Sequence, residues 1–451
     1  MRKLIKKYVQ FLYHDSFIIS LVLITTLCWA YDQYLIGMII LAFFGITSFL
    51  LASDLKPIIP IAAYYPYVLT QNEIGNGWPH KDFFIFLAIA VPIGVVGLIY
   101  HLKKQEFKFS KLKKGELFIG ALIAMIGITI AGIGHPDYKL IYPIAYFGTG
   151  FGMFFFYIAF RNTLKKDVSP YLAKVLIYAG VAIILQMIIY YARAENIMDA
   201  IQYGDLRVGW GMRNTIAVIL AMAIFMFYYL GYQKKNFYLY IIGSYIFFIA
   251  LVFTFSRGNL LISLVLNIPL LIYTYIKTPY KKRFLLTTLI LTISTLLFII
   301  FDNSFFKELM DSYIRRGLNS SGRINLWKEA YDKWLEYPIF GVGFFGKFQN
   351  ASFHGALLKV HSTPIQILAS SGIFGVIVLA KYYIDRYRFY FKRLFKHSFV
   401  FYSFLALIVY EGYGLIDLTL FMIYQLFFII WFFVAIEIDF DEPVKKLQKA
   451  M

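Results

Sequence analysis

The sequence predicts an all-α polytopic membrane protein of about 12–14 transmembrane helices, with one large extracytoplasmic loop containing amphipathic helices. Three observations carry that expectation. The 451 residues are 60% hydrophobic and only 15% charged, against roughly 25% charge in a soluble domain. Runs such as FFIFLAIAVPIGVVGLIY and LLTTLILTISTLLFII are long enough to cross a hydrocarbon core of roughly 30 Å as helices. The period-2 alternation of a barrel strand is absent, and a helix is the other structure that satisfies its own backbone in lipid.

Taken in order, the spans fall near 16–31, 33–51, 57–70, 82–100, 116–133, 140–160, 171–191, 212–231, 237–255, 258–276, 284–301, 363–380, 398–413 and 417–436. The third is short and interrupted by proline. The N-terminal stretch MRKLIKKYVQFLYHDSF is basic and lacks a small-residue cleavage site, which reads as a retained first helix. A single cysteine, Cys28, excludes an intrachain disulfide. With no repeats or low-complexity linkers, residues 1–451 form a single membrane domain.

The net charge of +19 could suggest a nucleic-acid partner, but its placement argues otherwise. The stretches MRKLIKK, HLKKQEFKFSKLKK, RNTLKK, QKK, KTPYKKR, KYYIDRYRFYFKRLFK and PVKKLQK all fall at one end of alternate spans. That bias marks a cytoplasmic side. It predicts a multi-pass protein of the cell (inner) membrane with both termini in the cytoplasm.

The opposite side carries 192–211, the tight turn FSRGN at 255–259, and a loop over 302–362. Long loops inside compact domains are usually functional or disordered, and this one has helical patterning. Phe305, Phe306, Leu309 and Tyr313 share one face. A second helix starts at a Ser321 cap and sets Ile324, Trp327, Tyr331, Trp334 and Leu335 on a stripe before stopping at Pro338. Both suit the outer membrane interface.

Candidate chemistry lies on that side. Arg257 sits between two spans, a costly place for a charge and therefore a site candidate; the plain alternative is a side chain snorkelling to the interface. Arg323 opens the loop helix, where a cation opposes the helix dipole. Arg207 and Arg213 flank the glycine-containing start of a span, and Arg315 and Arg316 face headgroups or solvent. Arginine presents a planar fork of donors that matches phosphate oxygens. His361 stands just outside a helix expected to begin with Thr363 as N-cap and Pro364 at its first position. The partial positive charge there favours an uncharged imidazole that accepts a proton from an attacking hydroxyl. An interfacial histidine bonded to a loop carbonyl is the plain alternative. The DFD at 439–441 reads as a solvated tail rather than a metal site.

Three segments then carry a resemblance: SRGNLL at a span boundary, GRINLWKEAYDKWLEYPIFGVGFFGKF, and VHSTPIQILASSGIFGVIVLA. With Arg323, Trp327, Pro338, Gly341, Gly343, His361, Gly372 and Gly375 in that order, the chain resembles the bacterial O-antigen ligase and Wzy-type polysaccharide polymerase family. RVGWGMRNTIAVILAM adds Arg207, Gly209 and Asn214. The resemblance covers about 205–380, the family-like catalytic region, and departs at Ser362, where many relatives carry asparagine.

The resemblance implies a GT-C-type glycosyltransferase that uses an undecaprenyl-diphosphate-linked glycan donor on the outer face, without metal or other cofactor. Arg257, Arg323 and Arg207 would bind the diphosphate and His361 would activate the acceptor. Arg213, Arg315, Arg316, Trp327 and Asn259 are further candidate substrate contacts. The expected partners are the donor, a glycan acceptor, membrane lipid and a chain-length regulator, with no nucleic acid. Polymerase activity is favoured over an O-antigen ligase or a protein O-oligosaccharyltransferase. The reading of another class is a lipid-linked oligosaccharide flippase or transporter, for which Glu411 and Asp417 in VYEGYGLIDLTL are the best clue.

Overall fold

The computed structural model describes residues 2–68, 81–107, 112–139, 141–202, 206–209, 211–301, six positions between 307 and 314, 322–344, 360–419 and 423–440. Within them the chain is helical: α1 (Arg2–Leu12), α2 (Asp15–Ala30), α3 (Tyr34–Leu51), α4 (Ile58–Tyr64), α5 (Lys81–Lys104), α6 (Phe118–Thr129), α7 (Ile141–Thr163), α8 (Val168–Ala192), α9 (Ile197–Gln202), α10 (Arg213–Gly231), α11 (Phe237–Phe253), α12 (Arg257–Lys277) and α13 (Lys281–Phe301). There follow α14 (Arg323–Glu336), α15 (Thr363–Phe391), α16 (Ser398–Gly414) and α17 (Ile423–Asp439). Among the described residues the sheet is one two-stranded hairpin, β1 (Arg207–Val208) against β2 (Gly211–Met212), which the sequence reading did not foresee.

Every predicted span falls on a helix. Six helices among the described residues are long and apolar enough to cross a membrane alone, and α6, α11 and α16 are shorter apolar helices. The centre of the bundle is α10, apolar all round and buried continuously from Ile216 to Met226, with α8, α11 and α16 beside it. At the periphery, Leu264, Ile268 and Ile272 of α12 and Leu286 and Leu289 of α13 stay exposed, as lipid-facing residues do.

Side-chain ties fix which helix ends lie together. At one end Lys174 meets Asp15 at 2.8 Å, Arg161 meets Glu437 at 2.7 Å, and Lys392 and Arg393 meet Glu116 at 2.7 and 2.8 Å. At the other, Arg193 donates to the Ala30 carbonyl at 2.6 Å and Gln425 to the Thr215 carbonyl at 2.9 Å. The alternation of direction read from the basic stretches holds. The third span does so unconventionally: α4 has seven residues and continues as a 3-10 turn over Tyr65–Tyr67. It starts where Lys56 donates to the Lys166 carbonyl, before α8, and ends where the Tyr67 carbonyl accepts from Gln186, near the far end of α8.

Gly372 breaks α15 with φ +61° and ψ −165°. The Pro-x-x-Gly-x-Gly segment seats on that break. Ile373 and Phe374 donate to the Pro338 and Ile339 carbonyls at 2.9 and 3.1 Å, and Val342 and Gly343 donate to Ala369 and Ser370 at 2.9 and 2.8 Å. A Cβ on Gly372 would stand 2.3 Å from the Ile339 oxygen, and its backbone lies in the left-handed region that glycine reaches without steric cost. The motif thus locks the loop helix α14 onto α15.

Candidate functional site

The candidate residues sit at helix starts. Arg213, Arg257 and Arg323 are the first residues of α10, α12 and α14, and His361 lies two positions before α15. A helix start presents unpaired N–H groups and a partial positive charge. An arginine there costs a few tenths of a kcal/mol, so three of them form an arrangement that an anion relieves. Sequence reading noticed this for Arg323 alone. That helix starts after Gly322, in the left-handed region at φ +75°; the expected Ser321 cap lies outside the described residues.

The arginines share one field. Arg257 and Arg323 repel each other, and Arg257 also feels the Tyr313 hydroxyl. Arg213 acts on Tyr313 and on Tyr191, while Arg323 acts on Tyr413. Two devices hold the helix starts together. Asn259 is fully buried and its amide donates to the Asn214 carbonyl at 3.1 Å and the Ser256 hydroxyl at 3.0 Å, pinning α12 to α10. Gly258 lets the turn after α16 approach, since a Cβ there would meet Ile416 at 1.9 Å. The side chain of Asn259, expected among the substrate contacts, therefore serves as a staple behind Arg257.

His361 has a partner that sequence reading did not give it. Its Nδ1 lies 3.0 Å from Oδ1 of Asp417, in the turn after α16, with the two side chains 38% and 16% exposed. Asp417 also accepts from the Tyr413 hydroxyl and from the Leu418 N–H at 2.8 Å. Burial pushes the Asp417 carboxyl upward. The His361 bond and charge, with the Tyr413 and Leu418 donors, outweigh burial and hold it at about 2 instead of 3.8. An ionised carboxylate can only accept, so Nδ1 carries a proton whether the ring is charged or neutral, and in the neutral ring the lone pair falls on Nε2. The carboxylate also opposes the partial positive charge of the helix start.

The backbone of His361 is itself constrained, at φ +53°, a region where a non-glycine residue is strained. Its neighbour Val360 is clamped on both sides. The Val360 carbonyl accepts from Trp327 Nε1 at 2.9 Å, and its N–H donates to the fully buried Gln366 at 2.9 Å. The cap differs by one position from expectation: Ser362 is the N-cap of α15 and Thr363 is already helical. The Thr363 hydroxyl instead joins the Asp417 carbonyl and the Thr419 hydroxyl at 3.2 and 3.0 Å, tying α15 to the Asp417 turn.

Arg207 opens the hairpin that leads into α10, with its Cα opposite Met212, the residue before Arg213. Trp327 packs half-buried with Leu326, Ala330 and Val360. Trp334 donates to the Pro338 carbonyl at 3.3 Å. Arg315, Arg316, Phe305, Phe306 and Leu309 lie outside the described residues. Of the two acids offered as a transporter clue, Asp417 belongs to His361 and Glu411 pairs with Arg386 at 2.5 Å. Asp439 of DFD caps α8, accepting from the N–H groups of Val168 and Ser169 at 3.2 and 2.7 Å, which corrects its reading as a solvated tail. Among the described residues no group of three or more metal-binding side chains occurs.

The fold and this cluster define a class: a multi-pass helical membrane protein with fixed cations and a carboxylate-held histidine gathered at one end of the bundle. Residues 242–380 match the Wzy_C family, described as O-antigen ligase, the family that the sequence resembles. The match spans Arg257, Arg323 and His361 and ends before Asp417. It supports a membrane glycan-transfer function in general. The chain matches no curated protein.

Proposed function

We propose that the protein transfers a glycan from an undecaprenyl-diphosphate-linked donor to a sugar hydroxyl, as a polysaccharide polymerase on the outer face of the cell membrane. Arg257 and Arg323 hold the donor diphosphate and stabilise the charge that grows on it as the glycosidic bond breaks. Arg213 and Arg207 extend the same field. His361 Nε2 takes the proton of the acceptor hydroxyl, whose oxygen attacks the anomeric carbon from the face opposite the diphosphate. Asp417 orients the imidazole and stabilises the imidazolium that forms, without taking the proton itself. A single displacement inverts the anomeric configuration. The arginines supply the positive charge, so the reaction proceeds without added metal.

The observation that carries this reading is the 3.0 Å bond from His361 to a carboxylate, beside an arginine that couples to a second arginine. The test is purified protein with synthetic lipid-diphosphate repeat units, with and without chelator. A ladder of products with inverted linkages is expected. A single transferred block would mean a ligase, and full activity of both Arg257→Lys and His361→Ala would overturn the assigned roles.

A further inference from the structure

Helix α1 is separate from the site just described. Its sequence, RKLIKKYVQFL, divides cleanly at about 100° per residue. Arg2, Lys3, Lys6, Lys7 and Gln10 fall on one arc of about 140°, while Leu4, Ile5, Tyr8, Val9, Phe11 and Leu12 fall on the other. The protein covers the apolar arc only at its C-terminal half. Leu12 is buried, the Phe11 ring lies 5.5 Å from Phe17, and the Tyr8 hydroxyl bonds Thr47 at 2.7 Å. Leu4 remains 74% and Ile5 41% exposed.

The helix turns by 73° from α2, close to perpendicular to a span. It therefore runs near the membrane plane, at the end of the bundle that holds Lys174, Lys392 and Arg393. Arg2, Lys3, Lys6 and Lys7 form no ion pair with a carboxylate among the described residues. Unmatched cations over an uncovered apolar arc complement anionic headgroups over acyl chains.

We infer that α1 is an anionic-lipid-binding helix: Leu4 and Ile5 insert among acyl chains while Arg2, Lys3, Lys6 and Lys7 engage phospholipid phosphates of the leaflet at the basic end. Each such cation strengthens binding to an anionic surface about fivefold, so removing three weakens seating by up to about 100-fold. The test uses the full chain in nanodiscs. The single cysteine, Cys28, is replaced by Ser, and an environment-sensitive fluorophore is placed on Leu4→Cys. Quenching by brominated acyl chains is expected in phosphatidylglycerol-containing discs. It should fall several-fold in pure phosphatidylcholine, in high salt, and in the Lys3→Gln/Lys6→Gln/Lys7→Gln variant. Equal quenching in charged and neutral discs, or none in either, would overturn the inference; so would a triple variant that behaves as the parent.

Discussion

Replacing Asp417 by Asn probes the catalytic proposal at its most informative point. The substitution keeps size and one acceptor oxygen but removes the charge that His361 Nδ1, the Tyr413 hydroxyl and the Leu418 N–H share. The amide can also present its NH2 to the ring, which would force the proton from Nδ1 to Nε2 and abolish the base. A hydrogen bond to a charged group contributes about 1.5–3 kcal/mol, which corresponds to about a 10- to 150-fold fall in kcat at 1.36 kcal/mol per tenfold. Donor KM should stay near the parent value, because the diphosphate contacts belong to Arg257 and Arg323. Steady-state transfer from a synthetic lipid-diphosphate glycan measures both constants. A double variant with His361→Ala should be no slower than His361→Ala alone, since Asp417 works only through the imidazole. Losses that multiply in the double variant, or full activity in Asp417→Asn, would refute that role.

Arg257→Lys and Arg323→Lys should each raise donor KM by about tenfold, through loss of the two-pronged phosphate contact, and donor titration reads it. The Asp417 carboxyl lies at about 2, below its ordinary 3.8, so the stability it contributes is present above pH 4 and lost as pH falls towards 2. The gap corresponds to about 2 kcal/mol, and acid unfolding of Asp417→Asn in detergent should lack that step. Gly372→Ala should lower the melting temperature, since its Cβ meets the Ile339 oxygen at 2.3 Å and its φ is +61°; the strain is about 1–3 kcal/mol. Trp327→Phe, which keeps the ring but drops the bond to the Val360 carbonyl, should cost about 1 kcal/mol of stability and reduce turnover.

The helices were legible because lipid demands long apolar runs and because lysine and arginine mark one end of each. Arg257 stands out in the sequence for the same reason: a charge at a span boundary is costly, with snorkelling to the interface as its plain alternative. Asp417 was not, because 56 residues separate it from His361 and nothing local marks an acid as a histidine partner. One signal was available. The same counting of spans that put His361 on the outer side puts Asp417 there too, yet the acid was weighed as a transporter feature. The one-residue shift of the α15 cap has a different cause: Thr363 looks like an N-cap in isolation, but its hydroxyl is drawn to Asp417 and Thr419 from another helix. The hairpin before α10 escaped because two-residue strands leave no periodicity to read.

The three arginines that open α10, α12 and α14 never lose their charge at any working pH. In the proposed reaction the attraction they exert is thus no weaker for the spent carrier, whose diphosphate has gained a negative charge, than for the loaded donor. Added polyprenyl diphosphate is then expected to compete with the donor and slow the enzyme at concentrations comparable to those of the donor.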